Sequence, residues 1–310
     1  MADILDLLKE AGGKPLSGAS LGRQFGLSRA AVHKRITRLR AQGHLIGGTP
    51  RIGYLLKRRS DRPASGDYKP GWGRPFLFFE TIPSTQDEAK RAAAQGAPEG
   101  ALFVAERQTA GRGRLGRRWD SPAGGLWYSL LLRPPLAPSA APGLALAAAL
   151  DWARLLEKRG LPARVKWPND VWIGRRKLAG ILTEMSSETD RVQWVVLGVG
   201  VNVNNPVPKG LLYPAVSLKS ETRQDWSRGE LLSEWMARFA KTYAGYLKRG
   251  FPSIRKDFVR LSLLRGRLAR FEVEGRQFLG RVLGVDADGR LRVRSGSLEK
   301  TISAGDVGPA

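Results

Sequence analysis

From Gly111 to Trp119 the chain reads Gly-Arg-Gly-Arg-Leu-Gly-Arg-Arg-Trp, three glycines and four arginines in nine residues, preceded by Gln108. Glycine lets a backbone take positive φ and approach a ligand closely. Arginine offers a planar, permanently charged fork to phosphate or carboxylate. With nothing apolar to bury before Leu115, the segment is expected to be mobile when empty and to order around an anion. Gly111 to Gly116 also fits G-x-G-x-x-G, the dinucleotide turn. That turn needs a preceding strand, a helix opening within it and an acidic residue about 20 positions on. A strand over Ala101–Ala105 is plausible, but Pro122 and Gly124-Gly125 forbid the helix, and no carboxylate occurs between Asp120 and Asp151. The dinucleotide reading fails on context. A solvated basic loop is the plain alternative, made less apt by the interleaved glycines.

Other reactive groups lie on either side. Ser84-Thr85-Gln86 precedes a helical stretch over Glu88–Gln95, where Ser84 or Thr85 is a natural N-cap or, equally, a donor to a polar ligand at a helix N-terminus. Lys166-Trp167-Pro168-Asn169-Asp170 runs from an extended segment into a turn. Lys177 opens an otherwise apolar strand, either at the mouth of a pocket or as an edge lysine blunting the sheet. Gly198-Val199-Gly200-Val201-Asn202 puts glycines inside a β-branched run, marking a bulge or the approach of a ligand.

Composition narrows the chemistry. There is no cysteine in the 310 residues, so thiolate metal sites and thiol catalysis are excluded. The two histidines, His33 and His44, lie near the N-terminus, which removes histidine catalysis elsewhere. The net charge of +24 suggests polyanionic partners, although a general arginine bias accounts for it as well. No signal peptide pattern and no bilayer-spanning run is visible, so a soluble cytoplasmic protein with no membrane partner is expected.

The elements that must hold these groups fall into three blocks. Asp3 caps a short helix carrying Ile4, Leu5, Leu7 and Leu8. A second helix covers Gly18–Phe25, Gly26-Leu27 turns, and Ser28 caps a third helix reaching about Gln42. In the third helix Val32, Ile36 and Leu39 form an apolar stripe, while Ala30, Lys34, Thr37 and Arg38 point away, flanked by Arg29 and His33. With a hairpin over Leu45–Leu56 around Gly47-Gly48-Thr49-Pro50, this is a winged helix-turn-helix expected to bind DNA through Ser28, Arg29, Ala30, His33, Lys34 and Arg38. Arg35 and Arg40 are further candidates for phosphate. A three-helix packing module with a basic face is the alternative. Expected boundaries are 1–60 for this domain, 61–73 for a linker, 74–262 for a central domain and 263–310 for a C-terminal β-domain.

In the central block strands are expected at Phe76–Glu80, Leu126–Leu132, Arg164–Trp167, Val171–Ile173, Lys177–Glu184 and Val192–Val203. Long helices are expected from Pro142 to about Arg159 and over Ser227–Arg249. Short hairpin-linked strands with helices on one side indicate an α+β fold. In the last block Leu268–Val273, Phe278–Val285, Leu291–Arg294 and Glu299–Ile302 alternate with turns at Glu274-Gly275 and Asp288-Gly289.

Taken in order, Ser84-Thr85, the loop from Gln108 to Trp119, Lys166–Asp170, Arg176–Leu182 and Gly198–Asn202 resemble the biotin protein ligases. With its N-terminal module the chain is similar to the bacterial bifunctional biotin ligase and biotin-operon repressor. The resemblance implies a class II synthetase-like mixed sheet and a C-terminal SH3-like β-barrel. It implies formation of biotinoyl-AMP from biotin and ATP, then transfer of biotin to a lysine of a biotin carboxyl carrier protein. On the matching positions it places biotin against Ser84, Thr85, Gln86, Gln108, Arg112, Gly113, Arg114, Lys177 and Gly180. The adenylate falls to Arg117, Trp119, Lys166, Asn169, Asp170 and Asn202. Lys177 and Arg114 are the catalytic pair, and Asp170 reaches Mg²⁺ directly or through water. Gln86 departs from the family's frequent Asn. The arginine-glycine loop becomes an ordering lid anchored by Trp119, and a homodimer carrying the adenylate binds operator DNA. A DNA-binding regulator that senses biotin without turnover, and a lipoate ligase on the same fold, are the competing readings.

Overall fold

The computed structural model describes residues 3–41, 43–49, 51–58, 60–64, 72–208, 210–211, 213–273 and 275–309. Gln42, Pro50, Arg59, residues 65–71 of the expected linker, and Glu274 of the expected turn lie outside them. The chain divides into two compact units, Met1–Ala64 with Ser227–Glu230, and Ser65–Trp226 with Leu231–Ala310.

In the first unit α1 (Ile4–Glu10) begins with a reciprocal capping box between Asp3 and Asp6. Ser17 caps α2 (Gly18–Phe25), which ends at Gly26 in the left-handed conformation, φ 63°. In α3 (Arg29–Ala41) Val32 and Ile36 are fully buried against Ile4, Leu8, Leu21, Ile46 and Tyr54. The antiparallel strands β1 (Leu45–Thr49) and β2 (Gly53–Arg58) form the wing.

The second unit is built on a seven-stranded sheet: β3 (Phe76–Ile82), β4 (Leu102–Gln108), β5 (Leu126–Leu132), β6 (Ala163–Lys166), β7 (Asp170–Ile173), β8 (Arg176–Ser187) and β9 (Val192–Val201). Its order is β3-β4-β5-β9-β8-β7-β6. Only β3 and β4 pair in parallel, so the sheet is mixed.

Alternation along the strands gives the two faces different work. Leu126, Tyr128, Leu130, Leu132, Val199 and Val201 point to one face, packed by α5 (Gly143–Lys158) and α7 (Arg228–Arg249). There Trp235 stacks between Trp152 and Phe239, with ring centroids 6.1 and 4.8 Å apart. Each large side chain buried there contributes roughly 1.5–3 kcal/mol. On the opposite face α4 (Thr85–Ala94) lays Ala89 and Ala93 over Phe103, Leu131 and Val196. Helices thus occupy both faces rather than one: the alanines of α4 let it sit close on a row of larger sheet residues.

Beyond the N-terminus of α4 this second face is bare of helices. The next rows across β5, β9 and β8 are Ser129–Gly198–Leu182 and Trp127–Gly200–Gly180. Strand glycines cost roughly 0.5–1 kcal/mol each, a loss the opposite face outweighs. The short α6 (Leu218–Thr222) and α8 (Pro252–Leu261) lead to the C-terminal block.

That block is a five-stranded antiparallel sheet, order β13-β12-β11-β10-β14, with β10 (Leu268–Val273), β11 (Arg276–Val285), β12 (Leu291–Ser295), β13 (Leu298–Ile302) and β14 (Asp306–Pro309). It agrees with the small β-domain expected there and adds a fifth strand, β14, that the alternation did not reveal. Among the described residues β13 and β14 share no ladder. No helix among them is long and apolar enough to cross a membrane.

Candidate functional site

The bare sheet rows, the first turn of α4, the arginine-glycine loop, the Lys166–Asp170 turn and the C-terminal edge at Asp306 and Val307 enclose one pocket with about 240 Å³ of internal space. Every ligase-site residue expected from the sequence lines it: Ser84, Thr85, Gln86, Gln108, Arg112, Gly113, Arg114, Arg117, Trp119, Lys166, Asn169, Asp170, Lys177, Gly180 and Asn202. Elements distant in the chain converge because the lining face of β5, β8 and β9 sits between α4 and the turn after β6.

The inner end is neutral. Helix α4 starts at Thr85, three residues before the expected Glu88, with Ser84 as N-cap. The Ser84 hydroxyl makes no capping bond, although Ser84 is buried. The N–H of Thr85, the first residue of the helix, donates to Gln108 Oε1 at 2.8 Å, and Gln108 Nε2 donates to Ser121 Oγ at 2.9 Å, which fixes the amide's direction. Thr85 Oγ1 lies 2.9 Å from Ser129 Oγ, Ser129 Oγ donates to Gln86 Oε1 at 3.1 Å, and Gln86 Nε2 donates to the Val196 carbonyl at 3.2 Å.

In the middle, Trp119 lies across the glycine floor. Its Nε1 falls 2.5 Å from where a Cβ on Gly200 would stand, and its Cζ3 3.1 Å from one on Gly180. A side chain at Gly200 would displace the indole, and one at Gly180 would press it aside by a few tenths of an ångström. Trp119 Nε1 is buried with no hydrogen-bond partner. Lys177 Nζ sits 5.1 Å from the indole ring centroid and 2.8 Å from Asp170 Oδ1. That ion pair lacks hydrogen-bond alignment, since Asp170 Oδ1 has no geometric partner.

The outer end is charged. Lys166 and Asp170 face each other across the β6–β7 ladder. Lys166 Nζ lies 4.4 Å from the Tyr213 ring centroid and 4.9 Å from that of Trp172. Burial pushes its ammonium down to about 8, against the opposing pull of Asp170. In the loop Gly113 N donates to Arg117 O at 2.7 Å and Trp119 N to Gly111 O at 2.9 Å. Arg112 pairs with Asp87, Arg117 with Asp306 and Arg118 with Asp120. The Arg112 guanidinium holds the Asp87 carboxyl below the usual range. Arg114 alone of the four meets no carboxylate among the described residues; it makes long bonds to Asn169 Oδ1 (3.4 Å) and the Gly305 carbonyl (3.3 Å). Asn169 Nδ2 donates to the Ile181 carbonyl at 2.6 Å, and Asn202 Oδ1 accepts from Asn205 Nδ2 at 3.0 Å, so both amides are already tied to the protein.

Sequence reasoning missed Ser129, Tyr213 and Asp306. A signal existed for Ser129, the one polar residue in Leu126–Leu132. None existed for Tyr213 in a loop or for Asp306 opening the overlooked strand.

The residues expected to contact DNA belong to the first unit. Arg29, Ala30, His33, Lys34 and Arg38 are exposed along α3. Ser28 Oγ accepts from Ala31 N at 3.2 Å as the helix cap, and His33 Nδ1 lies 3.1 Å from the Tyr54 hydroxyl. Arg40 is not free for phosphate as expected. Its guanidinium donates to the Ile46 and Gly48 carbonyls at 2.9 and 2.7 Å, clamping the wing to α3.

Residues 78–202 match the Biotin/lipoate A/B protein ligase family, residues 1–55 an HTH domain, and residues 267–307 the Biotin protein ligase C terminal domain. The chain is 35% identical to the bifunctional ligase/repressor BirA of Bacillus subtilis, over 98% of this chain and 97% of the relative. It is 29% identical to the Escherichia coli protein of that name, over 96% of this chain and 94% of the relative. A biotin protein ligase from Aquifex aeolicus, solved in complex with biotin and ATP, superposes with a TM-score of 0.66 at 29% identity, covering 75% of this chain and 97% of that one.

Proposed function

Because the chain belongs to the bifunctional biotin protein ligase family, we propose that this pocket activates biotin with ATP and that the winged helix binds operator DNA. The ligase joins a biotin carboxylate oxygen to the α-phosphorus of ATP and expels pyrophosphate. The ε-amine of a carrier-protein lysine then attacks the acyl carbon and expels AMP. The observation that carries the reading is the sequence of environments along one floor: a neutral hydrogen-bonding end, a glycine stretch, then Lys177, Arg114 and Lys166.

A cyclic urea suits the inner end, where Ser84 and Thr85 offer hydroxyls and Ser129 an acceptor. The valeryl chain runs beside the Trp119 indole that covers Gly200, and its carboxylate reaches Lys177. Two anions must meet there. At about 4 Å and an effective dielectric near 20, like unit charges repel by about 4 kcal/mol. Lys177 and the uncommitted Arg114 remove that barrier, worth nearly three orders of magnitude in rate. Arg117, Trp119, Lys166, Asn169, Asp170 and Asn202 serve the adenylate.

Mg²⁺ fits as a companion of the triphosphate. Among the described residues no group of three or more histidines or carboxylates is assembled. Asp170 is the carboxylate beside Lys177, and Mg²⁺ commonly binds one or two carboxylates together with substrate phosphates. Bound there through water on Asp170, it would screen the departing pyrophosphate.

Regulation follows by linkage. If the adenylate favours a homodimer, operator affinity rises with biotin plus ATP. Biotin-dependent exchange of labelled pyrophosphate into ATP tests the first step, and exchange driven equally by lipoate would overturn the choice of acid. Gel-shift titration of operator DNA with and without both substrates tests the second activity, and an unchanged affinity would remove the regulation.

A further inference from the structure

The first turn of α4 marks where the pocket ends and the helix-covered part of the sheet begins. The row Leu131–Val196 is buried beneath Ala89 and Ala93. The next row, Ser129–Gly198–Leu182, lines the pocket. Gln86 stands on the boundary. It is buried, lines the pocket, and presses its amide on the Cα of Gly198, where a Cβ would collide with Gln86 Oε1.

The amide is held from two sides. Its Nε2 donates to the Val196 carbonyl, which turns Oε1 toward the pocket side, and Ser129 Oγ donates to that oxygen. A serine hydroxyl has one proton. With that proton given to Gln86, Thr85 Oγ1 at 2.9 Å donates to one Ser129 lone pair, and Ser129 Oγ presents its remaining lone pair, an acceptor, to whatever enters.

We propose that Gln86 is the specificity-determining residue at the inner end of the acid compartment. Seated on Gly198, it sets how far a ring system travels along the glycine floor, and through Ser129 it selects an N–H rather than a carbonyl at that wall. The proposal rests on the reading that biotin lies in this pocket with its urea inward. Gln86 acts on the ligand through shape and through the direction of the Ser129 proton.

Titration calorimetry on the full chain tests it with two probes, biotin and a biotin derivative carrying a methyl on one urea nitrogen, alongside pyrophosphate exchange. The wild type should prefer biotin by about a hundredfold or more, since a buried donor is replaced by bulk. Q86N keeps the amide and withdraws the wall by one methylene, and should gain about tenfold for the methylated acid while losing less than that for biotin. G198A drives the Gln86 amide into the pocket and should weaken biotin by about tenfold or more, on KM rather than kcat. Thermal melts check that each variant is folded. Parallel losses for both acids in Q86N, or an unchanged preference, would overturn the proposal while leaving biotin activation in place. A wild type that binds no biotin would remove the reading of the pocket and this proposal with it.

Discussion

At the inner end of the pocket, Thr85, Gln86, Gln108 and Ser129 hydrogen-bond to one another and to backbone carbonyls. At the outer end, charges are matched to charges: Lys177 with Asp170, Arg112 with Asp87, Arg117 with Asp306. The first arrangement is set before a ligand arrives and asks for little rearrangement. On the proposed reading, the second gives up internal ion pairs when a triphosphate enters. Two groups stand outside the pairing, Arg114 with only long polar contacts and Lys166 held by aromatic rings. On that reading the outer half is stabilised by contacts that it exchanges for substrate, and the inner half by contacts it keeps.

That contrast can be broken at its strongest point first. Lys177→Ala should reduce biotin-dependent pyrophosphate exchange by about a thousandfold, the electrostatic barrier left uncompensated. The first unit should remain folded, by circular dichroism and DNA binding. Wild-type exchange would remove Lys177 from the reaction.

Lys166→Met separates stability from function. The folded ammonium titrates near 8, below its unfolded value of about 10.4. The folded state therefore binds fewer protons than the unfolded one between those values. Stability rises with pH across the window, and below pH 8 the full cost of burying the charge is present. Removing the ammonium should raise neutral-pH stability by up to roughly 3 kcal/mol, less what the aromatic contacts return. Denaturant unfolding should show it, together with an ATP KM raised by at least tenfold. Lower stability in the variant would mean that the rings more than offset the desolvation.

Ser84→Ala sharpens the inner side. Its hydroxyl caps nothing, so melting of the unliganded protein should barely move, whereas a capping serine costs about 1 kcal/mol. Biotin affinity should fall by about tenfold, read by calorimetry. Asp306→Asn probes the exchange itself. The pair with Arg117 is partly exposed and worth about 1 kcal/mol or less. Freeing Arg117 should tighten ATP by a few-fold, and weaker ATP binding would make Asp306 a needed latch.

Much of this was legible in the sequence, for identifiable reasons. The strand Leu126–Leu132 was placed to the residue because its apolar run is bounded by glycines and prolines. The stripe Val32–Ile36 was placed because a single helix packs on a single core. The sequence places the start of α4 at Glu88, three residues late, because the Gln108 amide that accepts from the Thr85 N–H lies 23 residues away. Arg40 was misjudged because a basic residue near a recognition helix looks alike whether it meets phosphate or the wing's carbonyls. Strand β14 escaped because four residues with glycine and proline carry no alternation, and its register comes from β10. The pairing of Arg112 and Arg117 is invisible in the sequence, since their carboxylates come from elements as far apart as Asp87 and Asp306.

Helix α4 carries one last consequence. Its N-terminal serine leaves the hydroxyl unused by the helix, at the helix end that forms the pocket's inner wall. A ligand that bonds this hydroxyl and packs against the turn supplies order that the chain does not supply to itself, and binding to the folded state alone stabilises it by mass action. On the proposed reading that biotin occupies this end of the pocket, the ligand would therefore lower the rate at which a protease cuts the transiently opened chain.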